Sequence, residues 1–410
     1  APGRAGGGDR RGAEGAGGDA GMKITKKALL SSACDITMGQ APEGTSYNTE
    51  GNGYPLIAGA GDFGDKTPRP GKWTNLPTKI SEVGDIIICI RATIGDRNFS
   101  DKCYCLGRGV AGLRVKPGKL HSQYLWHWLE NSSEILKAKG RGATFLQVSK
   151  TDIAELEIPL PPLDEQKRIA GILDAADALR AKRREALAEL DALLHSTFLD
   201  MFGDPETRDW PMTTVGETAA KRKGAIRTGP FGSQLLHSEF IEEGIRVLGI
   251  DNAVTNEFME GEPRFISQEK YNKLRRYTVQ PGDVLITIMG TCGKCAIVPN
   301  NIGTAINTKH LCCITLNQDK CLPIFLHCHF LLHPMARNHL ERSAKGAIMS
   351  GLNMEIIKKL PIPLPPLSLQ RRFAAIVEGV ERQKARMRAH GAELDALFAS
   401  LQSRAFNGEL

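Results

Sequence analysis

The feature that most constrains the fold is a junction that occurs twice. The stretch "IPLPPLDEQKRI" spans residues 158–169, and "IPLPPLSLQRRF" spans residues 362–373. Aligning them at an offset of 204 residues also places "AELDAL" at 188–193 on "AELDAL" at 392–397. Because self-similarity at a fixed offset indicates repeated structural units, we interpret the chain as a tandem duplication.

The match continues upstream of the junctions, but its offset drifts. "VGDIIICIRATIG" (83–95) aligns with "PGDVLITIMGTCG" (281–293), and "DITMG" ending at Gly39 aligns with "AIRTG" ending at Gly229. "YPLI" aligns with "IRVL". The segments that precede the two junctions therefore vary in length and sequence, whereas the junctions are similar.

Each variable half has the pattern of a mixed α/β domain. "DIIICI", "DVLITI", "IRVLGI" and "CCITL" are short β-branched or apolar runs typical of buried strands. The stretches at 122–140 and 323–346 predict one helix each, ending at Gly140 and Gly346. Each half has a size that suits one domain.

A long helix is predicted after each junction. From Leu163 to Phe202 only Gly171 interrupts the helical apolar spacing, and such a rod would be about 55 Å long. The second copy carries Gly391, which we expect to kink or loosen its helix. Since a lone amphipathic rod cannot bury its apolar stripe, we expect the two rods to pair antiparallel.

The junction itself is predicted to be an extended connector. Pro-Leu-Pro-Pro should continue neither a helix nor a sheet, with Asp164 and Ser368 as the helix N-caps. The predicted fold class is α+β: two mixed α/β domains joined and separated by two long antiparallel helices. The predicted boundaries are 1–21 for a disordered Gly-rich extension, 22–160 for domain 1, 161–203 for the central helix, 204–364 for domain 2 and 365–410 for the C-terminal helix.

Composition narrows the functional classes only slightly. The chain carries 53 Lys and Arg against 46 Asp and Glu, a net charge of +7 that is compatible with a polyanionic partner. No run of 18 uncharged apolar residues predicts a membrane span, and residues 1–21 lack the apolar region of a secretory signal. Ten cysteines without such a signal favour reduced thiols and a cytoplasmic location.

In this order, the motifs resemble the specificity subunit of type I restriction-modification systems, over residues 23–410. The resemblance is carried by "DITMGQAP", "IRTGPFGSQL", the two Gly-Asp strands, "GATFLQVSKTDIAELEIPLPPLDEQKRI", "MFGDP" and "RAFNGEL". The second junction departs from the pattern at Ser368-Leu369, where the first has Asp164-Glu165.

The resemblance implies a division of labour between subunits. Two target recognition domains would each contact one half of a split sequence in double-stranded DNA, and the helix pair would set the gap. Two modification subunits, which methylate adenine with S-adenosylmethionine, would dock on the helices. Two restriction subunits, which use ATP and Mg, would join them, and this chain would bind no cofactor and catalyse nothing. The alternative is a modification-only system without a nuclease partner.

Candidate contact residues follow from residue type and position. Polar and basic side chains on loops suit DNA bases and phosphates, although each is also compatible with an ordinary solvated charge. The DNA-binding candidates are Arg91, Arg97, Lys102, Arg108, Arg141, Arg227, Gln234, His237, Lys294, Lys309, His310 and Lys345. The helix positions predicted to dock partners are Ile169, Ile172, Leu173, Leu187, Leu190, Leu194, Phe373, Ile376, Val380, Leu394 and Leu397.

Enzymatic alternatives find little support in the motifs. Cys292 and Cys295 form C-x-x-C, but Cys312-Cys313 is not a second such pair, so we favour buried thiols over a zinc site. "GPFGS" at 229–233 lacks the lysine of a phosphate-binding P-loop, and we interpret it as a tight turn. Neither an adenine methyltransferase motif nor paired nuclease carboxylates occur. A single-chain enzyme and a scaffold that does not bind DNA remain as rival interpretations.

Overall fold

The computed structural model describes residues 27–142, 146–204, 208–344 and 352–410. The chain divides into two compact units: unit 1 extends to Arg183 and includes His390–Leu410, and unit 2 is Arg184–Ala389. Each unit contains one α/β domain, here called head 1 (residues 27–159) and head 2 (residues 212–363), and one part of each of two long helices. Residues 1–21, Lys345 and Gly346 lie outside the described residues.

Head 1 and the first long helix contain ten strands and five α-helices among the described residues. The strands are β1 (Lys27–Leu29), β2 (Cys34–Met38), β3 (Tyr47–Asn48), β4 (Tyr54–Ile57), β5 (Trp73–Thr74), β6 (Ile86–Cys89), β7 (Arg97–Phe99), β8 (Cys105–Leu106), β9 (Val110–Val115) and β10 (Glu157–Pro159). The helices are α1 (Leu30–Ala33), α2 (Ser122–Asn131), α3 (Ser133–Ala138), α4 (Lys150–Ala154) and the long α5 (Leu163–Phe202).

Head 2 and the second long helix follow the same plan. The strands are β11 (Met212–Thr214), β12 (Ile226–Thr228), β13 (Ile245–Leu248), β14 (Phe265–Ile266), β15 (Thr278–Val279), β16 (Val284–Thr287), β17 (Cys295–Ile297), β18 (Ala305–Asn307), β19 (Leu311–Ile314) and β20 (Pro361–Pro363). The helices are α6 (Val215–Thr218), α7 (Gln268–Leu274), α8 (Pro323–Leu332), α9 (Pro334–Ala344), α10 (Met354–Lys358) and the long α11 (Leu367–Asn407).

The two heads share one sheet topology, which supports the duplication. Sheet order β2-β9-β6-β7 in head 1 corresponds to β12-β19-β16-β17 in head 2, and all of these neighbours are antiparallel. In each head a second sheet contains one parallel pair, β4 with β8 and β13 with β18. The sheets diverge at their edges, where the orders are β3-β5-β4-β8 and β14-β13-β18-β15. The predicted strands at "DIIICI", "DVLITI", "IRVLGI" and "CCITL" are confirmed.

The Gly-Asp strands are buried on both faces, which explains their unbroken apolar runs. Along β6, Ile86 and Ile88 enter the main core of unit 1, whereas Ile87 and Cys89 enter a second cluster. Strand β16 divides in the same way, because Leu285 enters a different cluster from Val284 and Ile286. Since side chains alternate across a strand, a run of four apolar residues can serve two layers at once.

The long helices run antiparallel inside each unit, as predicted. In unit 1, Arg180 Nε donates to Asp395 Oδ1 at 2.6 Å, whereas Arg183 lies beside Gly391. In unit 2, Lys384 Nζ lies 2.8 Å from Asp191 Oδ1, and the rings of Phe202 and Phe373 lie 5.4 Å apart. Helix α5 has 40 residues and α11 has 41, so each is about 60 Å long. Helix α11 is one element through Gly391.

The repeated junction is partly a strand, which corrects one prediction. Pro159 pairs with Lys27 across β10 and β1, and Pro363 pairs with Met212 across β20 and β11. Proline fits here because each ladder has only two strands, so one edge needs no N–H donor. Asp164 and Ser368 are not N-caps as predicted, because the helices begin at Leu163 and Leu367 and already include both residues.

A buried glutamine fastens each junction to its head. Gln166 accepts from His121 N and donates to the carbonyls of Lys119 and Pro161, at 2.9 to 3.0 Å. The equivalent Gln370 accepts from Leu322 N at 2.9 Å and donates to the carbonyls of Lys320 and Pro365 at 3.0 and 2.9 Å. Both side chains are almost fully buried. The glutamine amide therefore connects the first turn of each long helix to the loop that precedes α2 or α8.

The helices predicted before the junctions are each divided in two. A single helix was expected over 122–140, but α2 and α3 are separated at Ser132. A single helix was also expected over 323–346, but α8 ends before Pro334 and α9 begins there. Proline lacks an N–H and disfavours helical backbone in the preceding residue, which explains the second break. The predicted end at Gly346 lies outside the described residues.

Candidate nucleic-acid interface

Loops from three strands converge at one edge of head 1. Because β4 and β8 are parallel, their carboxyl ends meet there, and Gly107 N donates to Ile57 O at 2.8 Å. The loop after β6 joins them, since Ile90 N donates to Gly109 O at 2.9 Å. A fourth loop packs closely: a Cβ on Gly39 would lie 2.1 Å from Gly107 O, so only glycine fits.

A cleft of about 660 Å³ opens between these loops, and two predicted DNA-binding residues line it. Arg91 follows β6 and Arg108 precedes β9. The rest of the wall is small or flat, since glycines, alanines and the ring of Tyr47 form most of it. Small side chains let a ligand approach the backbone closely. The cleft is therefore open, lined mainly by small side chains, and made cationic by two arginines.

The Arg91 side chain is held in place inside the cleft. Its Nε donates to Gln147 Oε1 at 2.8 Å, and the same Gln147 pairs by backbone with Arg91 and Arg141. The next residue, Ala92, has a φ of 56° in the left-handed region that disfavours side chains. At the equivalent position head 2 has Gly290 with a φ of 72°. Both heads thus build the same sharp turn after the Gly-Asp strand.

Head 2 forms an equivalent loop cluster with different side chains. Thr308 N donates to Leu248 O and Ile288 N donates to His310 O, both at 2.9 Å. Lys309 takes the position of Arg108, and Met289, which is 42% exposed, takes that of Arg91. Burial lowers the pKa of His310, and the neighbouring charges of Lys309 and Arg264 lower it further. Lys309 therefore places a cation at this edge of head 2 as well.

Two of the predicted DNA-binding residues have structural partners instead. Arg97 lies over the Trp126 ring at 4.3 Å, and its Nη2 is 2.7 Å from Glu130 Oε2. Arg227 is 7% exposed and its Nη2 donates to Asp283 Oδ2, the aspartate of the second Gly-Asp motif, at 2.6 Å. Because buried cations need such partners, we leave both arginines out of the proposed contact set.

The remaining predicted residues are spread over several surfaces. Arg141 is 86% exposed, lies 3.7 Å from Asp152 Oδ1 and shares the Gln147 backbone bridge with Arg91. Lys102 lies over the Tyr104 ring at 5.6 Å. Gln234 accepts from Tyr277 Oη at 2.8 Å. His237 is exposed near Phe240, Lys294 is half-buried in the turn before β17, and Lys345 lies outside the described residues. The structure thus brings together Arg91, Arg108 and Arg141 in head 1, and Lys309 and His310 in head 2.

The predicted docking positions on the helices fall into two groups. Ile169, Leu173 and Phe373 are buried against their own heads, so they are not available to a partner. The other predicted positions are half-buried or exposed: Ile172, Leu187, Leu190, Leu194, Ile376, Val380, Leu394 and Leu397. In unit 1 a groove of about 580 Å³ between α5 and α11 is lined by Leu179, Leu394 and Leu397, with Lys182, Arg183, His390 and Glu393 at its polar positions.

Four cysteines of head 2 lie in strands or helices of its core, and the other two lie in loops: Cys321 is buried just before α8, and Cys292 is half-buried in the turn before β17. Cys295 is in β17, and burial raises its pKa well above the usual thiol range. Burial raises the pKa of Cys312 and of Cys328 to about 12 each. Within the described ranges no group of three or more His, Cys, Asp and Glu side chains is placed to hold a metal ion. Likewise, no helix in those ranges is long and apolar enough to cross a membrane.

Two copies of one α/β domain, each followed by a long helix, define a duplicated α+β protein. The profile of the family "Type I restriction modification DNA specificity domain" matches residues 30–190 and 240–394. These two stretches include most of both heads and of both long helices. The chain belongs to this family, as the motifs at the two junctions predicted.

Individual relatives agree with this assignment. Over 427 residues the chain is 24% identical to the type I restriction enzyme EcoBI specificity subunit of Escherichia coli, covering 93% of this chain and 85% of that protein. It is 40% identical over 151 residues to the MjaX specificity subunit assigned to Methanocaldococcus jannaschii, covering 37% of this chain and 36% of that protein. A solved chain from a study of complex assembly and conformational transition of the type I R-M system shares the fold, with a TM-score of 0.59, 18% identity and coverage of 94% and 98%.

Several functional candidates were invisible in the sequence. Gln147 orients Arg91 from 56 residues away, and Met289 was not among the predicted contacts although it aligns with Arg91. The drifting offset between the copies was the one available signal, since it marked the loops of 83–95 and 281–293 as equivalent.

Proposed function

We propose that each head contacts one half of a split DNA sequence and that this chain itself catalyses no reaction. The observation that carries the proposal is the repeated loop cluster, which presents cations at the same edge of both heads. Family membership supports a role in DNA specificity. A duplicated reading surface on one chain suits a bipartite site, because each copy can contact its own segment of the duplex.

Arg91 and Arg108 are the proposed base or phosphate contacts of head 1. Since Gln147 occupies Nε of Arg91, the two terminal nitrogens remain to form a fork toward the cleft. Such a fork matches the O6 and N7 acceptors of guanine in the major groove. Lys309 and His310 are the proposed contacts of head 2, and Arg141 is a proposed phosphate contact beside head 1.

The helix pair is proposed to set the gap between half-sites and to dock two modification subunits. Exposed leucines support docking: Leu179, Leu193 and Leu397 are each about half exposed, although large apolar side chains are normally covered. S-adenosylmethionine would bind in the modification subunits, and ATP and Mg in two restriction subunits. The complex would act on DNA in the cytoplasm. A modification-only system without the nuclease is the second candidate, and both use this chain in the same way.

The proposal is tested by selecting DNA ligands with the complex of this chain and its methyltransferase subunit. From a pool of random duplexes, the complex should enrich two short conserved segments separated by a spacer of fixed length. Binding should weaken steeply as salt rises, because phosphate contacts release counterions. Enrichment of a single continuous sequence, or no enrichment, would contradict the proposal.

A further inference from the structure

A buried lysine on α11 organises an ion-pair cluster that reaches three parts of unit 2. The Lys384 side chain is only 5% exposed, and its Nζ lies 2.8 Å from Asp191 Oδ1 on α5 and 2.7 Å from Glu381 Oε1 one turn earlier. The third acid, Glu257, comes from head 2 at 3.7 Å and also pairs with Arg388 Nη2 at 3.0 Å. A buried ammonium is unfavourable unless nearby anions compensate its charge, so the three carboxylates stabilise Lys384 in this position.

The loop cluster of each head is called its reading edge here; in head 2 it contains Met289, Lys309 and His310. Glu257 lies in the segment that continues from the reading edge of head 2. This segment, residues 249–264, follows β13 and is called the brace loop here. Its start is fixed by Asn252, which accepts from Gly249 N and donates to the carbonyls of Met259 and Glu260, each at 2.8 Å. Its end is fixed by the ion pair of Arg264 with Asp251. The brace loop is thus held together by its own hydrogen bonds and ion pair.

The residues on either side of Glu257 are themselves held by the head. Asn256, with a φ of 64°, accepts from Cys295 N at 3.2 Å. Phe258 packs against the core cluster that contains Leu248 and Leu285. A force applied to Glu257 is therefore passed to β13 and β17, the strands that bound the reading edge.

The first copy has the same helix cluster but no equivalent of Glu257. Arg180 corresponds to Lys384, and it pairs with Asp177 one turn earlier at 3.1 Å and with Asp395 on the other helix at 2.6 Å. Within the described part of unit 1, both of the ion-pair partners of Arg180 are helix residues. The duplication therefore retained the cluster, and among the described residues the second copy alone extends it to a head.

We propose that Glu257 is a positioning residue for DNA specificity: through Lys384 and Arg388 it braces the reading edge of head 2 against the paired helices. This inference rests on the proposed function. The junction holds head 2 at Phe373, and the brace holds it again 11 residues further along α11, about 16 Å away. Two separated attachments restrain rotation of the head about its junction, which one attachment does not.

The test uses the full complex with the methyltransferase subunit and reads its methylated motif by genome sequencing. Glu257→Gln should relax base preference in one half-site, leave the other unchanged, and lower methylation of the original site by roughly two- to fivefold, as expected for a partly exposed ion pair. Arg388→Gln should act on the same half-site, and the double variant should be little worse than Glu257→Gln, because coupled residues are not additive. Glu243→Gln, an exposed glutamate of head 2, is the matched control.

Each outcome decides the matter. An unchanged motif and rate in Glu257→Gln, or equal losses at both half-sites, would overturn the brace. If the parent complex methylates no bipartite motif, the proposed function itself fails, and this result is separate because it appears without any substitution.

Discussion

At the scale of single residues, the joint between each head and its helix depends on one glutamine. Gln166 and Gln370 each make three hydrogen bonds in a site closed to water. Replacing either by leucine should lower the free energy of unfolding by about 1–3 kcal/mol, since buried partners lose their bonds. Urea unfolding of the full chain measures this, with the exposed Gln383→Leu as control. These hydrogen bonds of Gln166 and Gln370 are called the glutamine clamp here. Equal stability of Gln166→Leu and Gln383→Leu would refute its role.

A second residue-scale prediction concerns the histidines of α8. His329 Nε2 donates to Pro361 O at 2.9 Å, and burial, together with the nearby His333, lowers the pKa of His329 to about 3. Burial also lowers the pKa of His327 to about 4. Unfolded histidine binds a proton near pH 6.5, so stability is full above that pH and is lost as the pH falls from 6.5 toward these values.

The loss should approach about 1.4 kcal/mol per pH unit for each such histidine. Unfolding free energies measured between pH 7.5 and pH 5 should therefore show a shallower slope in His329→Leu than in the parent chain. The exposed His237→Leu should keep the parent slope. Parallel slopes for the parent and His329→Leu would show that His329 does not contribute.

A third residue-scale prediction concerns Arg91 and its counterpart Met289. Arg91→Met should weaken DNA binding by about 1–3 kcal/mol and relax the sequence at one position of one half-site. The reciprocal Met289→Arg should change only the other half-site. Selection from random duplexes with each variant complex measures both effects. A uniform loss of affinity with no change of motif would mean that Arg91 contacts only phosphate.

The sequence alone predicted only some of the candidate contact residues that the structure brings together. It proposed Arg91 and Arg97 on equal terms, because both are arginines near a predicted turn. The difference between them is a tertiary partner: Glu130 and Trp126 occupy Arg97, whereas Gln147 orients Arg91 toward a cleft. Such partners lie 29 to 56 residues away, and one sequence carries no signal for that pairing.

At the scale of elements, more of the structure could be predicted from the sequence, because apolar spacing and helix-breaking residues are local signals. The long helix Leu163–Phe202 and the Gly-Asp strands were predicted correctly from apolar spacing. The wrong predictions concern local features whose structural outcome depends on tertiary contacts. Pro159 was expected to end all pairing, but β1 supplies a partner whose ladder leaves one edge free. The break at Ser132 has no breaker in the sequence, and it is recognisable only beside the break at Pro334 in the second copy.

The proposed role of the helices gives an element-scale prediction. Inserting seven residues into the middle of both α5 and α11 keeps the apolar stripe nearly in phase and lengthens the pair by about 10 Å. The spacer between half-sites should grow by about three base pairs, since base pairs stack at about 3.4 Å, and the bases read should not change. Motif sequencing of the insertion variant measures both. A changed half-site with an unchanged spacer would contradict a spacing role.

At the scale of the whole molecule, the duplication explains why one chain has two sets of similar parts. The junction, the glutamine clamp and the helix ion-pair cluster recur nearly unchanged, while the loops at the reading edges differ, as Arg91 and Met289 show. Retained supports with altered reading edges suit the proposed contact of two different half-sites. The family assignment and this pattern support the same conclusion.

The most direct measurement of the central claim is the methylated motif of cells that express this chain with its methyltransferase subunit. The predicted result is one bipartite sequence, with two unlike half-sites and a spacer of fixed length, that disappears when this chain is omitted. Methylation of a continuous motif, or the same motif without this chain, would contradict the claim that its two heads select the DNA.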